Sequence, residues 1–266
     1  MRQRCLAVTS LVLTLVLGVS VQAQDRVKEV LDKAVKAHGG KEKLAKLSMT
    51  QSKSTGTLSF YGGVNFGLES TVQLPNRFKE KITFILDHKK KTEITTVYDN
   101  GQAKSKAVYS MRESEDVDWE KDTPPEETIE LKTAEVDEIK EALYLVRLSA
   151  LAFVDNKDFT VTALPDSTAD KAPVAGIKVA CRGFRDVELY FSKETGLLEK
   201  MASRKIDPNT KKEVVEERII TEYQEADGAK TPQRVVVKRD GKEFVTVRIT
   251  EIKLLDKVSD SDFAKP

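Results

Sequence analysis

The chain has 266 residues, with 44 lysines and arginines against 43 aspartates and glutamates, and a formal net charge of +1. A near-neutral chain has no long-range field to attract nucleic acid or an anionic membrane surface, which argues against both classes of partner. The length is sufficient for a sizeable hydrophobic core in one domain, and no internal boundary is visible.

The start of the chain has the layout of a secretory signal peptide. The basic residues Arg2 and Arg4 precede a mostly apolar run at 11–21, and small residues before the cleavage position predict a cut after Ala23. The apolar run is shorter than the roughly 20 residues of a membrane span, so a retained anchor helix is the less favoured alternative. We expect a signal peptide at 1–23, with no membrane span after its removal.

Residues 24–266 are predicted to form a single domain. Without Arg2 and Arg4 the secreted chain keeps 42 basic and 43 acidic residues, and it stays near neutral. It contains Cys181 but not Cys5, so no intramolecular disulfide can form. A secreted domain without disulfides fits a bacterial periplasm, and we expect export across the inner membrane to that compartment.

Five residues near the start of this domain, four of them apolar, are spaced as one face of an amphipathic helix. They are Val27, Val30, Leu31, Ala34 and His38. Gly39-Gly40 ends the helix, because glycine accepts the left-handed conformation that follows a helix C-terminus. A short second helical piece is predicted at 41–47.

From Met49 onward the pattern changes to that of strands separated by turn residues. Turn signals such as Asp99-Asn100-Gly101 divide the region 49–111 into about five strands of an antiparallel meander. The acidic segment 112–132 contains Pro124-Pro125 and one tryptophan, Trp119. It is predicted to be a long exposed loop.

A longer helix is predicted over 134–153. Its second half is apolar around most of its circumference, so we expect it to be buried on more than one side. Strands then return after residue 156 and continue to the end. Asp227-Gly228 and Asp240-Gly241 are strong signals for hairpins among them.

The segment VELYFSKETGLLEK at 187–200 illustrates the strand pattern. Val187, Leu189 and Phe191 alternate with polar positions, as in a half-buried strand. The charged residues around Lys193 are followed by Gly196, so we interpret them as an exposed hairpin tip and not as a catalytic site.

The predicted fold is mainly β, of the α+β class. It consists of about ten antiparallel strands in one strongly curved sheet, with an N-terminal helix and a central helix against its concave face. Strands and helices do not alternate, which excludes a doubly wound α/β fold.

The usual patterns of catalytic and metal sites are missing. There is no G-x-S-x-G motif, and His38 and His88 fall at a predicted helix end and a predicted turn. Cys181 has the character of a small buried hydrophobe, and neither zinc nor calcium spacing is present. We therefore predict a protein that is not an enzyme and that needs no metal or cofactor.

Five short motifs, in order along the chain, resemble those of periplasmic proteins similar to outer-membrane lipoprotein-sorting proteins (LolA/LolB-like). The motifs are Ala37-His38-Gly39-Gly40-Lys41-Glu42-Lys43-Leu44, Leu74-Pro75-Asn76-Arg77-Phe78, Tyr190-Phe191-Ser192-Lys193-Glu194-Thr195-Gly196-Leu197-Leu198, Glu222-Tyr223 with Asp227-Gly228-Ala229-Lys230-Thr231-Pro232, and Asp260-Ser261-Asp262-Phe263-Ala264-Lys265-Pro266.

The chain also departs from this family's pattern. Ser192 replaces an aspartate, and the tryptophan expected near Val108-Tyr109 is missing. The sorting chaperone uses a strand-borne arginine to hold its closed form, and no arginine here can be assigned that part, although Arg77 is nearest by position. The resemblance therefore favours the fold over the specific chaperone activity.

The resemblance implies a half-open antiparallel β-barrel whose helices plug its mouth and whose hollow holds lipoprotein acyl chains. From the predicted inward-facing positions we select the residues expected to line such a hollow. They are Phe60, Phe66, Phe84, Leu143, Val146, Phe153, Leu189 and Phe191. The expected partner is an acyl chain or a lipoprotein.

An alternative remains open, because a filled core and a ligand-sized hollow require the same residue types. In the alternative the chain is an envelope sensor or protein-interaction module of the same fold, with a filled core and another envelope protein as its partner.

Overall fold

The computed structural model describes residues 23–59, 63–87, 90–111, 127–169, 172–207 and 210–266. The predicted signal peptide therefore lies outside the described residues, apart from Ala23. The described helices are α1 (23–37), α2 (Lys41–Lys46) and α3 (Thr133–Ser149), with a 3₁₀ turn at Asp260–Phe263. The strands are β1 (Met49–Leu58), β2 (Val64–Gln73), β3 (Arg77–Asp87), β4 (Lys90–Asp99), β5 (Gln102–Met111), β6 (Glu127–Glu130), β7 (Phe159–Ala163), β8 (Ser167–Ala169), β9 (Ala172–Cys181), β10 (Val187–Ser192), β11 (Leu198–Ile206), β12 (Glu213–Ala226), β13 (Ala229–Arg239) and β14 (Lys242–Leu254).

These strands form one antiparallel sheet in the order β6-β5-β4-β3-β2-β1-β14-β13-β12-β11-β10-β9-β7, with β8 also paired to β9. Strands β1 and β14, the first and last strands along the chain, pair with each other in the middle of the sheet. Within the described residues the outer strands β6 and β7 do not pair with each other, so the curved sheet is not closed. The predicted curved, half-open antiparallel fold is confirmed.

The predicted meander and hairpins are present, with local differences. Five strands fill 49–111, and Asp227-Gly228 and Asp240-Gly241 form turns in which both residues have positive φ. The prediction of one exposed loop over 112–132 is wrong at its end, because Glu127–Glu130 pairs with β5 as strand β6. Residues 112–126, including Trp119, lie outside the described part of the chain.

Two hydrophobic clusters cover the concave face of the sheet. The larger joins α1, α2 and the second half of α3 to the strands β9–β12, with Leu148, Leu189 and Phe191 near its centre. The smaller joins the first half of α3, through Val136 and Leu143, to strands β2, β4 and β5. Helix α3 therefore belongs to both clusters.

The end of α1 is fixed against the turn between β12 and β13. Gly39 has φ of 110°, and a Cβ at this position would lie 2.4 Å from the carbonyl oxygen of Gly228. The backbone N–H of Lys230 donates to the carbonyl of His38 at 3.0 Å. Glycine at position 39 is thus required both by the left-handed backbone and by the close approach of two chain segments.

His38 is buried at this junction, with only 1% of its surface exposed. Its Nδ1 lies 2.8 Å from the carbonyl oxygen of Ala34, so this nitrogen carries the proton and donates. Nε2 then accepts from the backbone N–H of Leu198 at 3.5 Å, beside the hydroxyl of Tyr223. Burial lowers the pKa of His38 below its ordinary value, so the neutral ring connects α1 to strands β11 and β12.

Replacing His38 with leucine tests this connection. We expect His38→Leu to lower the free energy of unfolding by about 1–3 kcal/mol above pH 7, because the N–H of Leu198 loses a buried acceptor. The lowered pKa means that the unfolded wild-type chain binds a proton that the folded chain resists, so wild-type stability falls as the pH drops below about 6.5. The difference between the two proteins should therefore shrink in acid, as measured by urea unfolding at several pH values.

Lys36→Leu, an exposed change on the same helix, is the matched control and should not alter the pH dependence. Equal stability of His38→Leu and wild type at neutral pH would contradict a structural role for the imidazole.

Candidate functional site

A hollow of about 370 Å³ lies between α3 and the concave face of the sheet. Helix α3 forms one wall through Ile139, Leu143 and Val146, and strands from both halves of the sheet form the other. The volume falls within the range of about 300–1,000 Å³ that is usual for small-molecule sites. The hollow lies where α3 passes from the smaller hydrophobic cluster to the larger, so neither cluster fills it.

Most of the lining is aliphatic. The apolar residues that contribute are Leu47, Leu68, Val72, Phe78, Ile139, Ala142, Leu143, Leu145, Val146, Ala150, Met201, Ile220, Pro232, Val235, Val237, Val247, Ile249 and Ile252. Val146 is 40% exposed although it belongs to this lining. An exposed aliphatic residue on the wall of a hollow indicates an apolar opening to solvent.

The predicted lining residues within the described part of the chain fall into three groups. Leu143 and Val146 line the hollow. Phe153, Leu189 and Phe191 are buried in the larger hydrophobic cluster and are not among the lining residues.

Phe66 and Phe84 lie opposite each other on strands β2 and β3, with ring centroids 6.2 Å apart, and are likewise not in the lining. The ring of Phe66 covers Gly56, where a Cβ would lie 2.3 Å from it. Phe60 lies outside the described residues. The alternation of apolar and polar residues along the strands thus identified inward-facing positions. Which of these positions border the hollow depends on where α3 crosses the sheet.

One row of polar side chains crosses the concave face. Strand pairing places Ser52, Ser70, Glu80, Thr96 and Ser105 opposite one another on the strands β1 to β5. The hydroxyls of Ser52 and Ser70 are 2.9 Å apart, and those of Thr96 and Ser105 are 3.2 Å apart. We call these five residues the polar row.

The polar row runs between rows of apolar side chains. On β3 the inward-facing neighbours of Glu80 are Phe78 and Ile82, and on β2 those of Ser70 are Leu68 and Val72. Ser52, Ser70 and Glu80 all border the hollow. Small-molecule sites usually combine an apolar wall with a few polar groups that fix the orientation of the ligand. The polar row and its apolar neighbours have this arrangement.

Glu80 is the unusual member of the row. It makes no hydrogen bond or ion pair with another described residue, and burial raises the pKa of its carboxyl group to about 7. A carboxylate without a partner in an apolar wall is costly, so a large share of Glu80 keeps its proton at neutral pH. The alternation Phe78-Lys79-Glu80-Lys81-Ile82 already places this acid on an apolar face, a signal that our selection of aromatic and aliphatic residues missed.

Two further polar residues border the hollow without complete hydrogen bonding. The hydroxyl of Thr231 is buried, and it has no hydrogen-bond partner within the described residues. Nε of Arg218 is also buried and unpartnered within the described residues, although Nη2 donates to Glu216 at 3.1 Å. Neither residue stands out in the sequence, because threonine and arginine are common on strands of mixed exposure.

Arg218 is held by a buried charge cluster around Glu216. Burial alone would raise the pKa of Glu216, but Arg218, Lys205 and Arg239 outweigh it and hold the pKa below its usual range. Arg239 donates to Glu216 at 3.1 Å, and Lys205 reaches Glu138 of α3 at 3.1 Å. The cluster therefore fixes one side of α3 against the sheet beside the hollow.

A second groove, of about 600 Å³, lies on the outer face of β14, β1, β2 and β3, under the C-terminal tail. Its lining is polar and of mixed charge, with ion pairs such as Lys53 to Glu251 at 3.6 Å. The tail is attached there by Arg77, which stacks on Phe263 at 4.4 Å and pairs with Asp260 at 2.8 Å. The larger groove is thus a tail-docking surface, and the smaller inner hollow is the candidate site.

The described residues offer little for catalysis or metal binding. Across the described ranges, no group of three His, Cys, Asp or Glu side chains is placed to hold a metal ion. Burial raises the pKa of the Cys181 thiol, the opposite of the shift that activates a nucleophile. The charged residues at 193–195 are exposed on the hairpin tip as predicted, while Gly196 beneath them packs on α1.

The charge state of Glu80 predicts a pH-dependent effect on stability. Because its folded pKa is raised above the unfolded value, wild-type stability falls as the pH rises from about 4.5 to 7 and then levels off. We expect Glu80→Gln to be about 1–3 kcal/mol more stable than wild type near pH 8 and nearly equal to it near pH 4.5, as measured by denaturant unfolding. Glu69→Gln, an exposed change on β2, should show no such difference; a pH-independent gain in Glu80→Gln would contradict the assigned charge state.

Comparison with known proteins identifies the fold. No protein-family model and no curated protein matches the sequence. Among solved structures, a LolA superfamily protein from Nitrosomonas europaea has a TM-score of 0.56 and 11% identity, covering 90% of this chain and 97% of its own. A DUF1329 family protein from Desulfovibrio piger has a TM-score of 0.53 and 11% identity over 89% and 96% of the two chains.

A third structure, described as an outer membrane lipoprotein-sorting protein domain from Vibrio parahaemolyticus, has a TM-score of 0.50 and 9% identity over 89% and 95% of the two chains. None of the helices in the described residues combines the length and the hydrophobicity of a bilayer span. At these identities the likeness establishes the fold, and the predicted resemblance is confirmed at that level: the chain has the fold of the LolA-like lipoprotein-sorting proteins.

Proposed function

We propose that this chain is a non-enzymatic periplasmic carrier that holds an acyl chain, free or as part of a lipoprotein, in the hollow under α3. The observation that carries the proposal is the aliphatic hollow of about 370 Å³ with Val146 exposed at its border. The predicted signal peptide at 1–23 supports the location, and the fold shared with lipoprotein-sorting domains supports the class of ligand.

The binding energy in this proposal comes from burial. Each methylene that leaves water for an apolar wall contributes about 0.8 kcal/mol, so a partly enclosed acyl chain binds usefully without any strong polar contact. No covalent step is required, which agrees with the raised pKa of Cys181 and with the structural role of His38.

The alternative, an envelope interaction module with a filled core, requires that side chains occupy the space under α3. The hollow favours the carrier over this alternative, because its wall is aliphatic and α3 does not pack against the sheet there. Val146 of α3 instead keeps 40% of its surface exposed.

A bulky substitution in the hollow tests the proposal. Val146→Trp places an indole at the exposed border of the hollow, and we expect it to weaken uptake of a fluorescent fatty acid at least about tenfold, the loss of roughly 1.4 kcal/mol. Native purification of wild type, followed by solvent extraction and mass spectrometry, should also yield bound lipid, and Val146→Trp should yield less.

Ala134→Trp, an exposed change in the first turn of the same helix and outside the lining, is the matched control and should bind as wild type does. Absence of lipid from repeated wild-type preparations, together with no uptake of the fluorescent fatty acid, would contradict the carrier function.

A further inference from the structure

An acyl-chain site made only of aliphatic residues would need no polar row. Yet Glu80, Ser70 and Ser52 border the hollow from one side and Thr231 borders it from another. Polar groups that are buried without partners reduce stability, by about 1–3 kcal/mol each. Their presence at the wall of a hollow therefore points to a ligand that supplies the missing partners.

Glu80 lacks any partner within the described residues. Alternation on β3 places its side chain between Phe78 and Ile82 on the inward face, with Ser70 beside it on β2. Glu80 is able to donate one hydrogen bond whenever it carries its proton. The hydroxyl of Thr231 also lacks a partner within the described residues, but protein atoms cover it, so a ligand in the hollow does not reach it.

We propose that Glu80, with Ser52 and Ser70 of the polar row, forms a hydrogen-bonding subsite for the ester or amide carbonyl that joins an acyl chain to the rest of an acylated ligand. The inference rests on the proposed carrier function and specifies its preferred ligand: an acyl ester or acyl amide, bound more tightly than a free fatty acid anion or a plain hydrocarbon.

Charge at the hollow favours a neutral carbonyl over an ionic head group. A fatty acid carboxylate near Glu80 would place two acids together in an apolar wall, and one would have to be neutralised. An ammonium group would lose its hydration and meet the cations Arg218 and Lys230, which also border the hollow. A carbonyl oxygen is neutral and accepts the hydrogen bond that protonated Glu80 offers.

The surroundings of Glu80 also set the direction of a pH effect. The other charged residues that border the hollow are Arg218, which pairs with Glu216, and Lys230, which pairs with Glu225. Helix α3 contributes no charged residue to the lining. Because burial raises the pKa of Glu80 to about 7, its donor is present below neutral pH and is lost above it.

The test compares two glycerolipids that differ only in the carbonyl: 1-monopalmitoylglycerol, an ester, and 1-O-hexadecylglycerol, its ether analogue. Protein expressed from the full sequence and purified from the periplasmic fraction is loaded with the apolar fluorophore N-phenyl-1-naphthylamine, and each lipid is used to displace it. The ratio of the two affinities within one protein reports the carbonyl contact, so changes in overall affinity or in folded fraction cancel.

We expect wild type to prefer the ester by about 5- to 10-fold near pH 6, which corresponds to one or two net hydrogen bonds, and by less near pH 8. Glu80→Leu should reduce the preference towards one, whereas Thr231→Val, which removes a hydroxyl that the ligand does not reach, should leave it unchanged. Glu80→Gln, which keeps a donor, should retain the preference and lose its pH dependence, and Glu69→Gln on the outer face should behave as wild type.

Equal affinity of wild type for ester and ether, or a preference that survives in Glu80→Leu, would overturn the subsite while leaving the carrier function intact. Failure of the fluorophore and of both lipids to bind any of the proteins would overturn the carrier function and the subsite together. The two failures are therefore distinguishable in one experiment.

Discussion

The structure depends on one constraint: a sheet that curves without closing has an apolar concave face that other elements must cover. Among the strands that the structure describes, β6 and β7 end the sheet without pairing to each other, so the sheet cannot bury that face alone. Helices α1 and α2 cover the half formed by β9–β12, and α3 crosses from there to the half formed by β2–β5. Burial of these two stripes accounts for the core, and Cys181, the cysteine within the described ranges, forms no disulfide that could add to its stability.

The hollow is a consequence of this division. A single straight helix cannot pack tightly against both halves of a strongly curved surface, and the space under α3 lies where the two hydrophobic clusters separate. The same geometry explains why polar residues are tolerated there. Glu80 is at the wall of a space rather than inside a filled core, where an unpartnered carboxyl would meet only hydrocarbon. Whether an inward-facing side chain packs in the core or borders the hollow therefore depends more on its position relative to α3 than on its residue type.

Much of the fold was predictable because it follows from short-range patterns. The alternation at Val187, Leu189 and Phe191 and the glycine at 196 correctly placed a strand and its turn, and the spacing from Val27 to His38 correctly placed α1. The site was less predictable. Phe153, Leu189 and Phe191 face inward as expected, but they pack beneath α1 and α3, because long-range contacts decide where each helix crosses the sheet. Strand β6 was missed for a similar reason, since only pairing with β5 makes a strand of Glu127–Glu130.

The unpaired outer strands have a mechanical consequence. In a closed barrel the number of strands and their stagger fix the radius, and any widening breaks backbone hydrogen bonds. Here the sheet ends at β6 on one side and at β7 on the other, so its curvature can relax or tighten by small changes of twist along thirteen consecutive strands while every ladder stays intact. The volume beneath α3 can then change as the wall bends, without unfolding of any part of the sheet.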